Sequence, residues 1–99
     1  SAVKDLPVLQ VVDLLQKWAF DLMATSLGIA PRYYIDDRDK LDAAAKKLDR
    51  LKLQRWIREL AEARALALHP LNPRLVFERL FQGYRDAFVV NSTFAGGVN

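Results

Sequence analysis

Residues 61–80 read AEARALALHPLNPRLVFERL, and the fold class follows from how this stretch stops one helix and starts another. Ala63, Leu66 and Ala67 carry the closing apolar positions of the first. Pro70 then disfavours helical backbone at His69, because the proline ring crowds the residue before it. Asn72 offers a side-chain acceptor to a new helix. Pro73 suits that helix's first position, where its missing N–H has no helical partner to lose. Beyond it Val76, Phe77, Leu80, Phe81, Tyr84, Ala87 and Phe88 recur at steps of three and four, one face of an amphipathic helix.

Working backward, Leu41 to Leu68 contains neither glycine nor proline, yet its apolar phase does not hold. Extending the Leu41, Ala45, Leu48 face forward lands on Lys52, Arg55 and Glu59. Leu53, Trp56, Ile57, Leu60, Ala63 and Ala67 form a different face. The slip falls near Asp49, so the spacing predicts two helices with Asp49 capping the second. Asp36, Asp37 and Asp39 precede Leu41, where the helix dipole favours negative charge and an N-cap acceptor is wanted.

Further back, Val8, Val11, Val12, Leu15, Trp18, Ala19, Leu22 and Met23 define a long first helix, expected to start at Pro7 after Asp5. Gly28 is its natural C′ residue, and Pro31 prevents re-entry. The loop that follows carries Arg32, Tyr33 and Tyr34, side chains large enough to pack back onto the body. With Leu9, Leu14, Phe20 and Leu27 added, the first helix is apolar over more than half its circumference. A helix of that kind needs cover on two sides, so part of its surface is expected to meet another domain or subunit. The reading is a small all-α antiparallel bundle of four main helices. Its expected bounds are a leader at 1–6, a helical domain at 7–90 and a flexible tail at 91–99.

Composition excludes several classes. The 99 residues include no cysteine, so disulfides, thiolate zinc sites and thiol nucleophiles are ruled out, and a cytoplasmic setting is expected. Asp13, Gln16, Lys17 and Asp21 interrupt the longest apolar region, which therefore cannot span a membrane or act as a signal peptide. The only histidine, His69, sits at a helix end, and no serine or cysteine partner is suggested by spacing, so neither catalysis nor a small-molecule substrate is expected. Asp36, Asp37 and Asp39 lack the glycine and downstream glutamate of a calcium loop. No cofactor or metal is expected. Fifteen basic against 12 acidic residues leave a net charge of +3, spread along the chain. Lys46, Lys47, Arg50, Lys52, Arg55 and Arg58 form its densest basic stretch, interleaved with Asp42, Asp49, Glu59 and Glu62. It reads either as a solvated helix surface or as phosphate contacts through Lys47, Arg50 and Arg55, with the Arg32–Tyr34 loop as a stacking platform.

The order of motifs carries a resemblance. Leu15–Trp18 (LQKW), Arg32–Tyr34 (RYY), Leu53–Trp56 (LQRW) and Ala67–Leu75 (ALHPLNPRL) together resemble the C-terminal collar region of the delta-prime subunit of the bacterial DNA polymerase III clamp loader. The match covers Val8 to about Phe88. It implies a helical collar through which five related subunits form a ring, with delta-prime as the stator against which the ring opens. In that setting the partners are other clamp-loader subunits, DNA is met only through the assembly during replication, and the nucleotide-binding domains lie upstream. Trp18, Phe20, Arg32, Tyr33, Tyr34 and Arg74 are the candidate interface residues. The rival reading is a helical domain that binds nucleic acid directly.

Overall fold

A computed structural model describes residues 2–67, 69 and 72–88, with side chains from Val8 onward. The expected stop at Pro70 and the tail at 91–99 lie outside the described residues. Four helices pack against one another: α1 (Ala2–Ser26), α2 (Arg38–Ala45), α3 (Arg50–Leu66) and α4 (Pro73–Asp86), with a short 3-10 turn at Ile35–Asp37. Among the described residues there is no strand, only an isolated antiparallel bridge between Leu48 and Phe88.

Helix boundaries follow from local chemistry. Asp49 is in extended backbone and its carboxylate accepts from the Leu51 and Lys52 N–H groups, so α3 begins where the apolar phase slips. Asn72 does the same for α4 through Arg74 and Leu75, with Pro73 inside the first turn. At the end of α1, Gly28 takes a φ of 79°. The Ile29 N–H then reaches back to the Ala24 carbonyl at 2.8 Å and Gly28 N–H to Thr25 at 3.0 Å, a Schellman closure.

Two expected boundaries are corrected. Helix α1 begins at Ala2, not Pro7. Pro7 sits in its second turn and gives up one hydrogen bond to the Val3 carbonyl, while Ala2, Lys4 and Leu6, all good helix formers, carry the helix further back. Asp37 occupies the N-cap position of α2 but makes no cap bond with its side chain. The 3-10 turn runs straight into α2 and leaves Asp37 at ψ 25°, short of the extended backbone a capping carboxylate needs. It faces Lys40 instead, at 3.7 Å.

Helices α3 and α4 run antiparallel. The Asp49 N–H donates to the Ala87 carbonyl at the start of α3, Trp56 Nε1 donates to the Leu80 carbonyl at 2.8 Å midway, and Ala63 and Leu66 share a recess with Val76 at the far end. Helix α1 also opposes α3, since Arg64 reaches Gln16 while Ile57 lies by Phe20. Between them Val8, Val12, Ala19, Leu22, Leu41, Leu53, Trp56, Leu60 and Leu80 form the buried core. Each large apolar side chain there contributes about 2–3 kcal/mol.

Aromatic side chains tie the layers together. Tyr34 meets Trp18 edge-on at 5.1 Å, Trp18 Nε1 donates to the Tyr84 hydroxyl at 3.1 Å, and Tyr84 lies 4.9 Å from both Trp56 and Phe88. The chain of contacts thus runs from the loop through α1 and α4 to α3.

Gly83 lies inside α4, where glycine ordinarily costs about 1 kcal/mol relative to alanine. Its reason is the approach of α3: a Cβ there would come 2.8 Å from Trp56 Cδ1 and press on Glu59 Oε1. Trp56 is fully buried and cannot yield. Gly83→Ala is therefore expected to lower stability by about 1–3 kcal/mol in urea denaturation, against its helix propensity. A variant as stable as the parent would contradict this packing.

Candidate functional site

The most organised surface of the molecule is built on one buried carboxylate. Asp21 is 0% exposed, yet it stands on α1 facing the loop, not the apolar core. Its Oδ1 accepts from the Arg32 N–H at 2.7 Å, and its Oδ2 accepts from Tyr33 at 3.0 Å and Tyr34 at 2.7 Å. Consecutive backbone donors converging on one carboxylate fix the loop's path across α1, and charge-assisted bonds of this kind are the strong ones.

That path decides where each loop side chain goes. Tyr34 turns inward against Trp18, and its hydroxyl donates to the Leu14 carbonyl at 2.9 Å. Burial pushes this hydroxyl above the ordinary phenol range, with the Lys17 ammonium opposing the shift. Tyr33 turns outward and meets Phe20 edge-on at 5.6 Å, flanked by the Lys17 ammonium at 5.8 Å and the Arg32 guanidinium at 5.6 Å. Both rings stay about half exposed, Phe20 at 48% and Tyr33 at 45%.

The cluster has relief on both flanks. Asp13, Lys17 and Phe20, spaced by four and three, form one outward stripe of α1. A recess of about 300 Å³ lined by Asp13, Gln16, Lys17, Phe20, Tyr33 and Arg64 lies on one side. On the other is an apolar recess of about 160 Å³ lined by Gln16, Ala19, Phe20, Ile57 and Leu60. Asp13 holds both Lys17, at 3.1 Å, and Arg64, at 3.6 Å. The Phe20 ring therefore stands as a knob between two hollows, with a charged rim around it.

Of the residues expected at an interface, Phe20, Arg32 and Tyr33 come together here. Trp18 and Tyr34 are half-buried and serve beneath the cluster as its support. Arg74 stands apart on the first turn of α4, where it faces Glu78 at 3.7 Å. Sequence reasoning passed over Asp21, Lys17 and Arg64. Asp21 did leave a signal, since a carboxylate that interrupts an apolar run needs hydrogen-bond donors if it is buried.

The candidate phosphate contacts lie elsewhere. Lys47 follows α2, Arg50 opens α3 and Arg55 lies one turn on, all exposed. Arg55 also lines a groove of about 620 Å³ between α3 and α4, with Asp49, Lys52, Glu59, Arg85 and Asp86. The Arg32–Tyr34 loop is committed to α1 and provides these bases with no stacking platform. Among the described residues no group of three or more His, Asp or Glu side chains is gathered as a metal site would require, and no helix is long and apolar enough to cross a membrane. Comparison of the chain with protein-family models, with curated proteins and with solved structures gives no match.

Proposed function

We propose that this chain is a non-catalytic oligomerisation domain of a clamp-loader subunit of the delta-prime type, helping to hold the pentameric ring that loads the sliding clamp onto primed DNA. The family comes from the ordered motifs in Leu15–Trp18, Arg32–Tyr34, Leu53–Trp56 and Ala67–Leu75. The observation that carries the assembly role is the Phe20–Tyr33 pair, two half-exposed aromatic rings on a backbone already fixed by Asp21. Rigid aromatic anchors beside charged groups are the usual centre of protein interfaces, and a surface ordered before its partner arrives loses less freedom on binding.

A ring of related subunits is closed by heterologous contacts, so the Phe20–Tyr33 knob would enter a different surface on the neighbouring subunit. Lys17 and Arg32, which flank Tyr33, would form the polar rim. Exposed Leu14, Leu27, Ile29 and Ile35 on the same helix and loop add apolar area for a second contact. In this reading the parent complex is the replicative DNA polymerase III holoenzyme. The test is deletion of residues 8–88 from the intact subunit, followed by co-purification with the other clamp-loader subunits. Loss of the subunit from the complex is expected, and entry at full affinity would refute the proposal.

A further inference from the structure

We infer that the outward face of α3's first turns, with the preceding Lys47, binds the phosphate backbone of duplex DNA directly. This surface shares no residue with the Phe20–Tyr33 cluster, so it stands or falls separately from the assembly role.

The fold separates charges that the linear sequence interleaves. Lys47, Arg50, Lys52, Arg55 and Arg58 are all exposed. Among the described residues none of them is in an ion pair; the cations that are, Lys17, Lys40, Arg64 and Arg74, lie elsewhere. The acids interleaved with them in sequence are occupied or displaced. Asp49 spends its carboxylate on the Leu51 and Lys52 N–H groups. Glu59 is half-buried and turned toward Gly83 of α4. Asp42 lines a recess with Thr25 and Ser26 on the α1 side, and Glu62 lies at the far end of α3 by Val76 and Arg79. The face from Arg50 to Arg58 consequently presents cations that hold no carboxylate at ion-pair distance, with Lys52 and Arg55 bordering the α3–α4 groove that also contains Asp49, Glu59 and Asp86.

Reach and composition then select the ligand. Eight residues of helix span about 12 Å, over which one strand of B-DNA presents roughly three or four phosphates. The face holds no exposed aromatic side chain: Trp56 is buried, and Tyr33 and Tyr34 are engaged on α1. Single-strand binding depends on aromatic platforms for unstacked bases, whereas a duplex backbone needs only charge at suitable spacing.

Fluorescence anisotropy of the 99-residue chain with a short labelled duplex tests this. Binding is expected at low salt with a slope of log K against log salt of about −3, a loss of roughly 50- to 150-fold between about 50 and 200 mM. The triple variant Lys47→Gln, Arg50→Gln, Arg55→Gln should bind at least about tenfold more weakly and flatten that slope toward zero. A control triple, Arg38→Gln, Lys40→Gln, Arg79→Gln, removes the same charge elsewhere and should bind like the parent. Circular dichroism confirms that both variants fold. Absence of binding at the lowest salt, equal weakening in the control, or tighter binding of a single strand than of the duplex would each overturn the inference.

Discussion

Asp21→Asn is expected to destabilise the protein nearly as much as Asp21→Ala, each by about 3 kcal/mol in chemical denaturation. An isosteric change would ordinarily be mild. Here both carboxylate oxygens are engaged, Oδ1 by Arg32 and Oδ2 by Tyr33 and Tyr34, and all three partners are N–H donors. Asparagine keeps one acceptor oxygen and places its own NH₂ against at least one of those donors, so a lost bond becomes a donor–donor clash. Alanine removes the acceptors altogether and leaves a cavity beside α1. Amide hydrogen exchange would localise the effect, with the Arg32, Tyr33 and Tyr34 amides losing protection in both variants while the Asp49 cap region keeps its own. An asparagine variant within a few tenths of a kcal/mol of the parent would show that the carboxylate does not hold the loop.

The contrast between Asp21 and Asp49 shows what could be read from the chain. Asp49 was legible because the Leu41, Ala45, Leu48 face and the Leu53, Trp56, Leu60 face cannot share one helix, and an acid sits at the slip. Asn72-Pro73 was legible for the same kind of reason, since both residues have strong positional preferences at a helix start. These are local effects decided within one turn. Asp21 acts across 11–13 residues on backbone donors that any sequence would supply, so nothing in the loop's side chains advertises the contact. Trp18 and Tyr34 read as interface residues in the sequence for want of the same information. Periodicity marks them as large and apolar, but only the loop's path over Asp21 turns Tyr34 inward and Tyr33 out. Asp37 misled in the opposite sense: its position suits a cap, and the preceding 3-10 turn takes away the backbone geometry.

The charges of the Lys47–Arg58 segment follow this pattern too. In sequence they look balanced, and a solvated surface is the natural reading. The cap role of Asp49 is local, but the partial burial of Glu59 toward Gly83 depends on how α3 meets α4, which no local rule encodes. Gly83 itself, an unfavourable residue in the middle of a helix, was the one sign that two helices approach closely there.

Simultaneous replacement of Phe20 and Tyr33 by serine is expected to have the largest effect on association, on the order of a 100-fold loss of affinity for the neighbouring subunit. Anchors at the centre of an interface commonly contribute 2 kcal/mol or more each, though such values do not sum simply. Stability should change little by comparison, because both rings are about half exposed and neither belongs to the buried core. That separation distinguishes an interface role from a structural one: the Gly83 and Asp21 variants weaken folding, whereas this variant should leave folding intact and weaken assembly. Trp18→Phe supplies the complementary case. It removes part of the ring packed against Tyr34 and the hydrogen bond to Tyr84 but leaves the exposed Phe20–Tyr33 pair in place, so its cost should fall on stability while it assembles nearly as the parent does.

The most direct measurement is therefore the dissociation constant of the intact subunit for the other clamp-loader subunits, with and without Phe20→Ser and Tyr33→Ser, under conditions where circular dichroism shows both proteins folded. The expected result is a folded variant that no longer joins the ring at concentrations where the parent is fully incorporated. A folded variant that assembles with parental affinity would contradict it.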